Sequence, residues 1–260
     1  MIKDTIYTKI KYFALVKSEI KRFFRQLRRE NSFIKTTGDS LFIYEQYDNS
    51  EQLLYESGRR TMSYKGIYRK MTDKEARRLY ITHVFEYVDR LLKGDGAKRV
   101  NILEVGCGNC INIVKLIEKY GDEISVTGID ISPERINVAR KHYGAVLETA
   151  DLKVGSITER LPFDDGQFDI VFSMHCLEQI SYEVKSAIKE MYRLTGIYTV
   201  LIEPVFENGN FLQKLYLINS DHCRVILKTI TELEYPVIEN RVLDIQSNPR
   251  NQSSLIALKK

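Results

Sequence analysis

The stretch EVGCGNC, residues Glu104 to Cys110, carries two patterns that do different chemistry. Cys107 and Cys110 form a C-x-x-C, the spacing of a redox pair or of half a zinc site. Gly106 and Gly108 form a G-x-G turn, which lets a ligand approach the backbone closely with helix N–H groups facing it. Asp130 stands 24 positions after Gly106 at the end of an apolar run, where a carboxylate can accept both hydroxyls of a ribose. His175 follows another apolar run, and histidine is the side chain best matched to proton transfer near neutral pH. Asp164, Asp165 and Asp169 are acidic neighbours, but FDDGQFD reads as a turn and strand entry rather than a metal site.

The surroundings favour the glycine reading. No second Cys pair or Cys/His pair lies at finger-like spacing, Cys176 and Cys223 stand alone, and the four histidines complete no compact ligand set. A thioredoxin-type pair would also sit on a strand-to-helix turn, so placement leaves a redox role open, yet that role leaves the glycines unexplained. A dinucleotide fingerprint needs Gly or Ala at position 111, where this chain has Ile111, and this disfavours a pyrophosphate. Asp130 is not needed to cap the following helix, because Ser132 fills that role.

These residues need a frame of strands and helices. RVNILEV, ISVTGID, LKVGSI, FDIVFSM and IYTVLIEP read as buried strands. Helices over 111–120, over 133–143 with Pro133 at the first position, and over about 182–194 alternate with them. Such alternation implies a parallel sheet covered on both faces. TDKE at Thr72–Glu75 is a capping box, opening a helix that buries Ala76, Tyr80, Val84, Val88 and Leu91. A helix near 221–233 and the strands VIENRVLDI and SSLIALKK complete the tail.

The 260 residues, 43% hydrophobic and 28% charged, suffice for one large α/β domain with an attached cap. Four cysteines make no disulfide framework, which predicts a reducing, cytoplasmic setting. The net charge of +4 is uneven. Residues 1–30 carry nine Lys/Arg against three Asp/Glu, whereas the other 230 carry 30 against 32, so the body is not a nucleic-acid surface by charge. Ile2, Ile6, Ile10, Phe13, Val16, Ile20, Phe24 and Leu27 form one helical stripe in that basic segment. The expectation is a helix docked on its own domain, with peripheral membrane contact as the alternative. Residues 31–71, rich in tyrosine and turn signals, are expected to form short helices or loops. Tyr44, Tyr47, Tyr55, Tyr64 and Tyr68 would build a lid, and Arg59 and Arg60 would meet an anionic acceptor or solvent.

The ordered set ILEVGCGN, GIDIS, GSITERLPFDDGQFDIVFSMHCLEQI and EMYRLTGIYTVLIEP resembles a class I S-adenosylmethionine-dependent methyltransferase. Within that fold it is most similar to the small-molecule branch that includes ubiquinone and menaquinone methyltransferases. The resemblance is close over residues 99–204, loose in the tail and absent from residues 1–70. It implies a Rossmann-like, seven-stranded, mostly parallel sheet with helices on both faces, over residues 72–260. Residues 1–71 would be an N-terminal amphipathic helix and Tyr-rich cap. It also implies roles: Glu104 for the methionine amino group, Gly106, Cys107 and Gly108 for the loop beneath the cofactor, and Asp130 for the ribose. Ile131 would flank the adenine, Ser156 and Ile157 would stand at its edge, and Met174 would complete the cofactor set. Ser156 replaces the usual acidic residue, and Cys110, read as a small buried helix residue, replaces the loop's third glycine.

Methyl transfer from a sulfonium is an in-line displacement that needs alignment and exclusion of water, with a base only where the acceptor must lose a proton. His175 is the candidate base, Glu178 and His222 are weaker ones, and Gln179 replaces a histidine that the family often carries. No [DN]PP[YFW] or Pro-Cys motif of amide-, base- or cytosine-directed methyltransferases is present. The expected acceptor is therefore a metabolite, sugar or lipid-linked intermediate. An RNA or protein methyltransferase and a non-catalytic S-adenosylmethionine-binding module remain the alternatives.

Overall fold

The computed structural model describes residues 2–27, 60–94 and 96–260 of the chain. Helix α1 (Ile2–Leu27) comes first, then a hairpin of β1 (Arg60–Tyr64) and β2 (Ile67–Met71), then α2 (Asp73–Asp89). Thr72 opens α2 with the expected capping box: its Oγ1 accepts from the Glu75 amide at 3.1 Å, and Glu75 Oε2 accepts from the Thr72 amide at 2.6 Å. Ala76, Tyr80, Val84, Val88 and Leu91 are all buried, as their helical spacing predicts.

Strand and helix then alternate, except between β5 and β6, through β3 (Val100–Val105), α3 (Ile111–Tyr120), β4 (Ile124–Asp130), α4 (Pro133–Tyr143), β5 (Asp151–Val154), β6 (Phe168–Met174), α5 (Val184–Leu194) and β7 (Thr195–Pro204). The tail adds α6 (Phe211–Asn219), α7 (Ile226–Glu232), β8 (Val237–Val242), β9 (Ile245–Gln246) and β10 (Ser253–Lys259). Seven strands form one sheet in the order β5-β4-β3-β6-β7-β10-β8. The pairs among β3 to β7 are parallel, and β10 runs antiparallel to both its neighbours. This is the mostly parallel α/β sheet expected from the sequence.

Alternate residues of each strand feed two cores, because side chains of a strand point to opposite faces. Ile102, Phe172, Val200 and Leu255 pack with Tyr80 and Val84 of α2 and Leu116 of α3. Leu103, Val171, Leu201 and Ile256 pack with Ala187, Ile188 and Met191 of α5. Burial on both faces explains why these strands read as continuous apolar runs.

Four elements depart from expectation, one being the expected strand VIENRVLDI, which splits into β8 and β9 in different sheets. Residues 60–71 form a hairpin rather than helix or loop, and β1 also pairs with β9, giving a small sheet in the order β2-β1-β9. Its two-residue turn, Lys65-Gly66, has φ of 50° and 72°, the left-handed pair that suits the twist of a tight hairpin. Helix α6 was not anticipated, although Asn210 and Gln213 form a full capping box before it. Strand β5 ends at Val154, so Gly155, Ser156 and Ile157 lie in the turn after it. Of the Tyr-rich segment, Tyr44, Tyr47 and Tyr55, with Arg59, lie outside the described residues.

Helix α1 docks on the domain, but of its predicted stripe between residues 6 and 24 only Val16 takes part. Tyr12, Leu15 and Val16 pack with Tyr68 of β2 and Leu212 of α6. Thr8 Oγ1 accepts from the Tyr68 amide at 3.0 Å. Buried Glu19 accepts from Asn219 Nδ2 at 2.8 Å and pairs with Arg250 at 3.0 Å. Of the predicted stripe's residues between 6 and 24, Val16 is half-buried; Ile6, Ile10, Phe13, Ile20 and Phe24 face outward.

Candidate active site

Chain order reverses at β3, whose neighbours are β4 on one side and β6 on the other. Open α/β sheets place their crevice at the carboxyl ends of the strands beside such a point. Two adjoining crevices lie there and share Gly106, Arg135, His175 and Gln179. The first has apolar walls from Val105, Ile129, Ile131, Ile157 and Ile180, with Asp130 and Ser156 at its edge. The second is polar, lined by Arg77, Asn109 and Asn112 beside Cys107 and Met174.

The loop between β3 and α3 requires its glycines. Gly106 has φ of 70°, and a Cβ there would stand 2.5 Å from Cys176 Sγ. Gly108 has φ of 53°, and a Cβ there would meet the Arg135 guanidinium at 2.3 Å. Cys110 is buried as predicted but is not a helical residue. It precedes α3 with φ of 59°, keeping the left-handed backbone for which a glycine would be the usual choice. The Cys107 and Cys110 sulfurs lie 3.9 Å apart, and the neighbouring thiol together with burial pushes the Cys107 thiol well up, which disfavours a thiolate at Cys107. Among the described residues, no three His, Cys, Asp or Glu side chains gather as a metal site.

Asp130 ties the loop to the next helix. Its Oδ2 accepts from the Gly108 amide at 2.7 Å and its Oδ1 from the Ser132 amide at 3.0 Å. Ser132 is the cap of α4, accepting from the Arg135 amide at 3.3 Å. A carboxylate has about four acceptor positions, so Asp130 retains capacity for a pair of hydroxyls. Arg135, 4.0 Å from Asp130, reaches both crevices from the first turn of α4.

Glu104 lies behind the wall rather than on it. Its Oε1 accepts from Asn112 Nδ2 at 2.6 Å, while Oε2 is buried without a hydrogen-bond partner. Burial raises its pKa to about 8, against the smaller opposing effect of Asn112. Gly108 also lies outside the lining. Gly106, Cys107, Asp130, Ile131, Ser156, Ile157, Met174 and His175 are all on it.

On the other side of His175 a buried polar network begins. His175 has a left-handed backbone, φ 56°, held by its amide donating to Ile202 O at 3.0 Å. Glu203 fixes the turn after it, accepting from the Cys176 amide at 3.0 Å and the Glu178 amide at 3.3 Å. His175 Nε2 is 2.9 Å from Ser253 Oγ, and its Nδ1 is 3.5 Å from Glu178 Oε1. Tyr80 meets the imidazole edge-on and hydrogen-bonds the same Ser253 hydroxyl. Glu178 Oε2 accepts from Asn251 Nδ2 at 2.6 Å and lies 3.7 Å from His222 Nδ1.

Burial alone would raise the pKa of Glu178, but the two histidines and Asn251 outweigh it and hold it at about 2. Glu203, also buried, is raised to about 7. Ser253, His175 and Glu178 are connected like a hydrolase triad, but Ser253 is fully buried and offers no surface to an acyl substrate.

Arg77, Arg135, Asn112, Asn251 and Ser253 were not anticipated. Arg135 had a local signal, since the third residue after a Ser cap turns back toward the preceding loop. Asn112 is likewise local, in the first turn of α3 beside Glu104, whereas Arg77, Asn251 and Ser253 reach the site through packing of distant elements, which leaves no pattern in sequence.

Residues 102–196 match the family described as "Methyltransferase domain". Over that segment, from β3 into the start of β7, the chain is similar to class I methyltransferases. Ajmaline N-methyltransferase from Rauvolfia serpentina is 36% identical over 107 residues, 39% of this chain and 34% of that protein. Demethylmenaquinone methyltransferase from Chlorobaculum tepidum is 30% identical over 131 residues, 48% of this chain and 49% of that protein. The chain thus spans about a third to a half of the curated relatives it matches. Magnesium protoporphyrin IX methyltransferase from Synechocystis PCC 6803, with bound S-adenosylmethionine, shares the fold at a TM-score of 0.60. That similarity covers 88% of this chain and 100% of that one at 14% identity.

Proposed function

We propose that the protein transfers a methyl group from S-adenosylmethionine to a small-molecule acceptor. The observation that carries this reading is the pair of crevices meeting at Gly106, one apolar and one polar. Their chemistry fits the two ends of that cofactor: isoleucines for an adenine plane, and arginine and amide side chains for an amino acid. Asp130 stands at the edge of the apolar crevice, where its free acceptor capacity suits a ribose. Glu104, with an orphaned buried oxygen, suits an ammonium group reached through Asn112 or a bridging water. When bound, the cofactor supplies an electrophilic methyl on a sulfonium whose departure leaves a neutral thioether.

The chain's own residues then align and exclude water. Gly106, Cys107 and Gly108 form the loop that lets the backbone lie beneath the cofactor, and Ile131, Ser156, Ile157 and Met174 flank it. His175 sits where both crevices join and is the candidate general base. Glu178 at Nδ1 and the buried Ser253 at Nε2 hold both ring nitrogens, so action as a base would require the imidazole to turn toward the crevice. Residues 72–260 would form the catalytic domain and 1–71 its cap. The matched relatives named for quinone and alkaloid substrates support a small acceptor.

Two experiments test this. Titration calorimetry with S-adenosylhomocysteine should show binding, and a preference for NAD would overturn the reading. Incubation with methyl-labelled S-adenosylmethionine and host lysate, followed by fractionation, should place the label among metabolites or lipids. Label in RNA or protein would remove the small-molecule acceptor. Cofactor binding with no label anywhere would favour a non-catalytic module.

A further inference from the structure

Helix α1 has two stripes, and the domain uses only one. Thr8, Tyr12, Leu15, Glu19 and Arg22 recur at spacings of four and three residues and make the contacts to β2, α6 and Arg250. Ile6, Ile10, Phe13, Lys17, Ile20 and Phe24 recur at the same spacings, offset by two residues, which is about 200° around the helix. The second stripe therefore points away from the domain. Ile10 is 65% exposed and Phe13 68%, values far above those of a side chain resting on its own protein. The stripe runs about 27 Å along the helix at 1.5 Å per residue. That is too long and continuous for scattered surface apolar residues.

Charge identifies what it fits. Residues 5–25 contain Lys9, Lys11, Lys17, Lys21, Arg22 and Arg25 but a single acidic residue, Glu19. Glu19 is buried on the docked face and neutralised there by Arg250. Lys17 lies within the outward stripe, and Lys9 and Lys21 lie on its flanks, all three exposed. An apolar stripe with only cations beside it matches an anionic lipid surface, where the apolar side chains enter the acyl boundary and the lysines reach the headgroups. No helix among the described residues is long and apolar enough to cross a membrane, so the contact is with the surface.

We infer that the outward face of α1 docks the protein on anionic membranes. The docked face fixes the orientation: Glu19 holds Arg250, and the adjacent Asn251 holds Glu178 beneath His175. The His175 side of the crevice is thereby tied to the lipid-facing helix. An amphiphilic acceptor delivered from the bilayer follows from that placement. This last step rests on the methyltransferase reading, whereas lipid binding itself does not.

The chain contains no tryptophan, so Phe13→Trp in the whole 260-residue chain supplies a single reporter on the stripe. With vesicles of 70% phosphatidylcholine and 30% phosphatidylserine at low salt, its emission should shift to the blue and the protein should co-sediment. Pure phosphatidylcholine or high salt should reverse most of this. Replacing Lys9, Lys17 and Lys21 by Gln should weaken partitioning on the order of 100-fold, at about fivefold per basic residue. Ile10→Glu should abolish it while leaving the melting temperature and S-adenosylhomocysteine affinity unchanged. An unshifted emission, or pelleting indifferent to charge and salt, would overturn the inference. So would Ile10→Glu destabilising a protein that binds no vesicles, since the chain itself then covers the stripe. A dimer dissociated by Ile10→Glu, again without vesicle binding, would assign the face to a second copy.

Discussion

The two walls that meet at His175 are built in opposite ways. The glycine-loop wall comes from one contiguous stretch, residues 104–157, and relies on backbone: left-handed turns, a strand end, and amides held by Asp130. The other wall is His175 itself, backed by a buried network that brings Tyr80, Glu178, Glu203, His222, Asn251 and Ser253 together from distant parts of the chain through side-chain pairs. A backbone-built wall is set by local turn chemistry and suits a ligand of fixed shape. A side-chain-built wall is set by tertiary packing and can differ between proteins of one fold. The first should therefore govern cofactor affinity, and the second stability and turnover.

The sharpest way to break this division is at Glu178, the hub of the side-chain wall. Glu178→Leu removes an ionised carboxylate from beneath two histidines and Asn251, and should lower unfolding free energy by about 3–5 kcal/mol. Its folded pKa of about 2 lies below the ordinary carboxylate value of 4.5. Its contribution is therefore present above pH 4.5 and lost as pH falls toward 2. The variant should flatten that acid limb in denaturant titrations. An unchanged acid limb would show that the network does not hold the wall.

His175→Ala comes next. As a base it should lower kcat on the order of 100-fold, about 2.7 kcal/mol, with S-adenosylhomocysteine affinity preserved. A matching loss of affinity would place His175 on the cofactor wall instead. Across the crevice, Asp130→Ala should weaken S-adenosylhomocysteine by about 1.5–3 kcal/mol, the scale of lost charge-assisted hydrogen bonds. Calorimetry would read this directly. Unchanged affinity would leave Asp130 only its bonds to Gly108 and Ser132.

The same contrast explains what was legible in sequence. The capping box at Thr72, the cap at Ser132, the strand ends at Asp130 and Met174 and the burial of α2 all follow from short-range spacing, and all are found in place. Ser253, Asn251 and Arg77 meet the site only after β10 and α2 pack, so no local pattern marks them. The Lys65-Gly66 turn was missed because lysine seldom marks a left-handed turn position. For α1 the apolar stripe was legible but its direction was not. The domain recruited the face with Leu15 and the ion-paired Glu19, which hydrophobicity alone does not favour.

Glu104 offers the smallest effect and the finest separation of the walls. Burial raises its carboxyl from the ordinary 4.5 to about 8, so in the unliganded protein it is largely protonated at neutral pH. A raised acid contributes stability that is fully present below pH 4.5 and lost as pH rises through about 8. The unliganded protein should therefore lose stability toward alkaline pH, with Glu203, raised to about 7, contributing in the same direction. An ammonium group needs the opposite form, the carboxylate. The ionised fraction rises about fivefold between pH 7 and 8 for a group at about 8, so S-adenosylhomocysteine affinity should rise by that factor while bare stability falls. Calorimetry in two buffers of different ionisation enthalpy should detect the released proton. Glu104→Gln should abolish both the release and the pH dependence while leaving the Glu203 slope intact. A wild-type affinity flat from pH 6 to 8 would separate Glu104 from the cofactor.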